Sequence, residues 1–198
     1  IRSTKILSYI RRHQEFGIKS ASAEFNFSEI MDRVQSIIKK IAPHDSIERY
    51  TNLGVNCFTG FAKVLSPNQV GINGEILTTK NIIIATGAKP TIPAIRGLDK
   101  VEFLTTDNLW NIRELPKRFF ILGGGPIGVE LSQCFARLGS KVTLVEMMPN
   151  ILTREDDEIS YALRKSIEIE GVDVHVKTAC KEIVIKNGKY FMICEKNG

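Results

Sequence analysis

Between Arg118 and Glu146 the chain reads RFFILGGGPIGVELSQCFARLGSKVTLVE. Gly123, Gly125 and Gly128 fall at the spacing G-x-G-x-x-G, and Glu146 ends the next apolar run. Residues of these types at this spacing can hold a dinucleotide. Gly123 permits a tight turn, because a residue without a β-carbon can take positive φ. Gly125 lets the backbone come close to a pyrophosphate, and Gly128 lets a helix pack tightly on the preceding strand. Free N–H groups in the first helical turn, with the helix dipole behind them, attract phosphate charge. Gly124, Pro126, Ile127 and Val129 complete this amide-lined mouth, and proline suits a first helical turn. Glu146, about 20 residues on, is placed to accept hydrogen bonds from the adenosine ribose hydroxyls and would repel a 2′-phosphate. No arginine occurs in the run MMPN that follows it, so NAD is expected over NADP. The plainer reading is a glycine-rich turn with no ligand. Glu130 lies near the positive end of the same helix, and its plainer reading is helix-end electrostatics.

These residues need a strand before them, a helix through them and a strand after them. RFFIL reads as a buried strand, 126–138 as a helix closed by Gly139, and KVTLVE as the next strand. A helix over 156–170, stopped by Gly171, leads to the strand VDVHV, and a hairpin turns at Asn187-Gly188. Alternating strands and helices of this kind predict an α/β fold with a parallel sheet.

Upstream, Ile6, Leu7 and Ile10 predict a helix over 4–16 that stops at Gly17. Ser28 is the expected cap of a second helix reaching Ile41. Short segments after Gly54 predict a small antiparallel meander, with Asn73-Gly74 as a hairpin turn. The continuous apolar run NIIIATG predicts a strand buried on both faces. A connector with Pro90, Pro93 and Gly97 follows, then a short helix before Pro116, with a domain boundary nearby.

Composition narrows the function classes. Hydrophobic residues make up 43% and charged residues 25% of 198, ordinary for a globular protein. The net charge of +5 is spread along the chain, so nucleic-acid binding is not expected. No apolar run approaches the roughly 20 residues of a membrane span, and no signal-peptide pattern opens the chain; a cytoplasmic location is the default expectation. Cys57, Cys134, Cys180 and Cys194 show neither a redox nor a zinc spacing. They read as small buried hydrophobes with no thiol chemistry of their own, and no metal site is expected.

The runs NIIIATGAKPTIPAIRGL, LPKRFFILGGGPIGVEL and VTLVEMMPNILTREDDEIS occur in an order that resembles the class I pyridine nucleotide–disulfide oxidoreductases. Within these the chain looks most like dihydrolipoamide dehydrogenases and mercuric reductase-like proteins. The resemblance covers essentially the whole chain. It implies FAD/NAD(P)-binding Rossmann-like domains, with residues 1–113 part of an FAD-binding domain and 114–198 a C-terminally truncated NAD-binding domain. It implies a hydride passed from NAD(P)H, NADH favoured, to flavin, and electrons passed on to a disulfide, dithiol or metal-ion acceptor. It also implies a redox-active cysteine pair and a homodimer in the full-length protein.

Site residues carry over by position. IRSTKIL resembles the tail of the family's cysteine-pair motif, with Lys5 at the lysine that approaches the flavin and pairs with Glu130. In that register Ile1 stands where the second cysteine belongs, and RST replaces the usual Val-Pro-Ser. The backbone at Ala62 corresponds to a segment bordering the FAD adenine, and Thr86 and Gly87 to a second FAD contact. Cys180 corresponds to a position whose backbone faces the NAD adenine. Pro126 stands where NADP-dependent relatives often carry a tyrosine. The resemblance implies an internal fragment, inactive by itself. The competing reading is a non-catalytic NAD-binding module that has lost the redox centre.

Overall fold

The computed structural model describes residues 1–196. The chain forms two compact units, one of residues 33–91 and one of residues 1–32 together with the chain from 92 onward.

In the larger unit the first helix, α1, spans Arg2–Arg11. Its expected extension to residue 16 is instead a separate 3-10 turn, His13–Phe16, closed by Gly17 in the left-handed region. The next helix, α2, spans Phe27–Ile41 and crosses from this unit into the other. The expected cap at Ser28 is corrected: the Asn26 carbonyl accepts the amide of Ile30, and its side-chain oxygen accepts the amide of Ser28 at 2.9 Å. Asn26 is thus the N-cap, a role its short polar side chain serves well.

In the smaller unit, the helix α3, Ile47–Asn52, is capped by Ser46, whose hydroxyl accepts the Arg49 amide at 3.2 Å. The expected meander follows: β1 (Lys63–Ser66), β2 (Gln69–Ile72) and β3 (Glu75–Thr78), each antiparallel to the next. The run from Asn81 to Gly87, expected as a buried strand, is an irregular segment without strand pairing, and Ile83 is 91% exposed. A strand apolar on both faces needs neighbours to pair its backbone and cover its sides. Among the described residues β1 to β3 pair only with one another.

The larger unit holds the parallel sheet. Strand β4 (Arg118–Leu122) pairs in parallel with β5 (Lys141–Val145), and β5 with β6 (Val172–His175). The helix α4 (Pro126–Leu138) connects the first pair and α5 (Asp157–Ile169) the second. Strand β5 is central, with Val142 and Leu144 wholly buried. Phe119 and Phe135 pack at 4.4 Å between ring centroids, and Phe27 reaches Phe135 at 6.2 Å. Thr4 on α1 donates to the Cys134 sulfur on α4 at 3.5 Å, joining those helices. Arg137 binds Glu170 through two bonds of 2.5 and 2.6 Å, tying the end of α4 to the residue after α5. A hairpin of β7 (Thr178–Lys186) and β8 (Lys189–Lys196) closes the described chain. Both Asn-Gly turns take positive φ at each residue, as the two-residue hairpin requires.

Candidate nucleotide-binding site

The glycine run lies at the carboxyl ends of the parallel strands, where open α/β sheets bind ligands. Leu122 ends β4 opposite Val145, and the Gly123 amide donates to the Val145 carbonyl at 2.8 Å. Gly123 then turns with φ +101. Gly125 is the N-cap of α4 and Pro126 its first residue. Ile127 and Gly128, the next two, carry amides that no carbonyl of the helix can reach.

The glycines of the motif serve different ends. A β-carbon on Gly128 would lie 2.0 Å from the Gly123 carbonyl oxygen, so the strand-to-helix turn excludes any side chain there. Gly125 has φ −73 and ψ 177, open to any residue, and a β-carbon on it would meet nothing within 4 Å. Neither conformation nor packing within the chain demands glycine at 125. Open space beside free helical amides is what a pyrophosphate requires. Gly124 is buried, and a β-carbon there would press against Ile151 at 2.8 Å. Sequence reasoning had no signal for Ile151, which is wholly buried and backs the cradle.

Glu146 is anchored at the sheet edge. Its amide donates to the His175 carbonyl at 2.8 Å, and its carbonyl accepts from Thr178 at 3.0 Å. One carboxylate oxygen accepts the Gly124 amide at 2.6 Å, and the other accepts the Met148 amide at 2.7 Å. A carboxylate offers about four acceptor sites, so these two bonds leave acceptor capacity on both oxygens. The arrangement can hold a pair of vicinal hydroxyls while keeping its backbone anchors.

The remaining candidates are less gathered. Val129 is buried under the mouth, whereas Ile127 and Glu130 are exposed. The packing of α1 on α4 sets Lys5 and Glu130 on adjoining helices. No Lys5–Glu130 ion pair is formed among the described residues. The Lys5 ammonium sits over the Tyr9 ring, 5.7 Å from its centroid. Both side chains are exposed, so a pair between them would gain little against water. Ala62, Thr86 and Gly87 lie on exposed irregular backbone in the smaller unit. Cys180, in β7, is directly opposite Cys194 in β8. Burial, together with the neighbouring Cys194, pushes the Cys180 thiol up to about 11.

Strand, glycine turn, helix and anchored acid define a Rossmann-like nucleotide-binding unit. Residues 4–198 match the family described as pyridine nucleotide-disulphide oxidoreductase, and the chain belongs to it. Among curated relatives, the dihydrolipoyl dehydrogenase of Acholeplasma laidlawii is 35% identical over 188 residues, 92% of this chain and 56% of that protein. The mercuric reductase of Lysinibacillus sphaericus is 29% identical, covering 96% of this chain and 34% of the relative. The chain therefore spans about half the length, or less, of these relatives. Among solved structures, a Cu(II) complex of a cysteine-to-serine mutant of the HOCl-induced flavoprotein disulfide reductase RclA from Escherichia coli superposes with a TM-score of 0.72 at 25% identity. That match covers 97% of this chain and 42% of the other. Among the described residues no helix is long and apolar enough to cross a membrane.

Proposed function

We propose that this chain supplies the NAD(H)-binding site and part of the FAD-binding domain of a flavoprotein oxidoreductase. In this reading residues 114–198 belong to the NAD-binding domain and residues 1–113 to the FAD-binding domain. The observation that carries it is Gly125, a glycine with no reason within the chain to be one, facing open space beside free helical amides. The amides of Ile127 and Gly128 would hold the pyrophosphate, and the free acceptor sites of Glu146 would hold the ribose hydroxyls. A carboxylate at that position disfavours a 2′-phosphate, which supports NADH as the donor.

When bound, the nicotinamide supplies a hydride and the flavin receives it. The chain's own residues orient the two groups. Lys5 would place a cation at the flavin edge, and Glu130 would keep that lysine oriented once both are desolvated. The FAD contacts assigned to Ala62, Thr86 and Gly87 rest on the family resemblance. Gly87, at φ +68 with nothing near its missing β-carbon, leaves room for close approach. A small-molecule disulfide, dithiol or metal ion is the acceptor class that the family and its relatives suggest, and the working form is a homodimer in the cytoplasm.

The second reading, a nucleotide-binding module without a redox centre, is favoured by Ile1 at the position of the second cysteine. Anaerobic titration of the intact protein with NADH separates the two. Bleaching of a flavin absorbance by NADH supports the enzyme, whereas NADH uptake with no flavin signal supports the module. Failure to take up NADH at all refutes both. If Lys5→Ala reduces flavin at the unaltered rate, the role assigned to Lys5 is wrong.

A further inference from the structure

We propose that Cys180 and Cys194 form a thiol pair that closes to a cross-strand disulfide by exchange with a small-molecule disulfide. The inference does not depend on the nucleotide reading.

Register carries it. From Lys186↔Lys189 back to Glu182↔Ile193, the hairpin pairs as a two-residue turn at Asn187-Gly188 dictates. Continued without interruption, that register would set Cys180 opposite Glu195 and Cys194 opposite Lys181. A bulge between Cys180 and Glu182 shifts the pairing by one residue, so Cys180 faces Cys194. A one-residue shift exchanges the two faces of a strand, and here it brings two thiols onto the same face, directly opposite. Opposed residues of an antiparallel pair lie about 4.5–5.5 Å apart at Cα, inside the span of about 4.4–6.8 Å that a disulfide bridges.

The bulge is held from outside the hairpin. The Ile183 amide donates to the Arg96 carbonyl at 2.8 Å, and Arg96 pairs with Glu182 at 2.5 Å. Gly97 allows this approach, since a β-carbon there would lie 2.2 Å from the Ile183 carbonyl oxygen. Across the strands, Lys181 pairs with Glu195 at 2.6 Å. Contacts on both sides thus maintain the register that opposes the cysteines. Both thiols are free.

The two thiols differ in access, which orders the chemistry. The expected burial of all four cysteines holds only for Cys134: Cys57 and Cys194 are exposed and Cys180 is half-buried, since the outer hairpin strand has no layer packed over Cys194. The Cys194 thiolate attacks one sulfur of the incoming disulfide, whose S–S bond breaks and releases one thiolate. The Cys180 thiolate then attacks the Cys194 sulfur of the mixed disulfide, forming Cys180–Cys194 and releasing the second thiolate. The protein dithiol is oxidised by two electrons and the reagent is reduced to two thiols, so the exchange balances. Because Cys180 is already opposite Cys194, its attack on the mixed disulfide is intramolecular; it runs through the small thiolate fraction of a thiol that burial pushes up to about 11, so closure speeds as pH rises.

The test uses the intact protein incubated to completion with oxidised glutathione at about pH 9, where part of the Cys180 thiol is ionised, then quenched by alkylation, digested with trypsin without reduction and mapped by mass. Cleavage at lysine separates residues 178–181 from residues 190–196. Formation of the disulfide joins these peptides, with the mass of two hydrogens lost, and reductant separates them again. Cys180→Ser should leave glutathione attached at Cys194, and Cys194→Ser should leave Cys180 reduced. The joined peptide as the main product supports the pair. Glutathione retained on Cys194 of the unmutated protein, or both thiols still open to alkylation after the incubation, would overturn it.

Discussion

Replacing Glu146 with glutamine tests the coenzyme assignment most directly. The carboxylate accepts two backbone amides, from Gly124 and Met148, and has capacity left for ribose hydroxyls. Glutamine offers only one acceptor oxygen. If that oxygen keeps the buried Gly124 amide, the side-chain NH₂ turns toward Met148, whose exposed amide can bond to water. The expected cost to folding is about 1 kcal/mol. The cost to NADH is larger, because hydrogen bonds to a charged acceptor contribute about 1.5–3 kcal/mol each. Losing one such bond weakens NADH binding about 10- to 150-fold. For NADPH the sign reverses. Two like charges about 4 Å apart repel by about 1 kcal/mol in water and about 4 kcal/mol at an effective dielectric near 20. Glu146 is only half-buried, so the lower part of that range applies, and its removal should leave NADPH binding unchanged or tighter. Calorimetric titration of both coenzymes into both proteins, with a thermal melt to establish folding, gives all four affinities. A folded Glu146→Gln protein that binds NADH within about twofold of the parent, or a parent that prefers NADPH, refutes the reasoning.

Other substitutions separate fold from site. Gly128→Ala should destabilise the protein by about 1–3 kcal/mol, since its new methyl meets backbone at 2.0 Å. Gly125→Ala should melt within a few degrees of the parent yet bind NADH at least about tenfold more weakly, because its methyl enters the space reserved for the pyrophosphate. Equal destabilisation by both would remove the case for a ligand at Gly125. Arg137→Ala should cost about 1.5–3 kcal/mol, since the pair with Glu170 is bidentate and its side chains are only 14% and 22% exposed. A melting temperature lowered by about 3–10 °C is the expected reading. With the Cys180 thiol raised to about 11, it stays protonated at neutral pH, and only the thiolate reacts. Iodoacetamide at pH 7.5 should therefore label Cys180 more slowly than Cys194, with the Cys180 rate climbing as pH rises toward that value; equal rates at pH 7.5 would contradict the burial seen here.

Much of the candidate site is legible one residue at a time. The turn at Gly123, the proline opening α4, the stop at Gly139 and the acid after β5 act through local conformation or through contacts across one strand–helix–strand unit. The meander was equally local, since Asn73-Gly74 prescribes its turn and pairing follows. The apolar run from Asn81 to Gly87 was misleading because its pattern states what the segment could bury, not which strands stand ready to pair with it. Ser28 yielded to Asn26 as cap because the two compete for the same helix end, two residues apart.

From its amino acids alone the chain declared a parallel α/β unit, a glycine turn opening a helix and the acid beside it, because glycine φ, helix stops and apolar period are short-range properties. Tertiary structure alone decided that α1 packs on α4, that Ile151 backs the cradle, and that Cys180 meets Cys194. In the last case the turn sequence prescribes the register only as far as Glu182. Beyond it, a single inserted residue, braced by Arg96 from a distant part of the chain, reverses which side chains face each other.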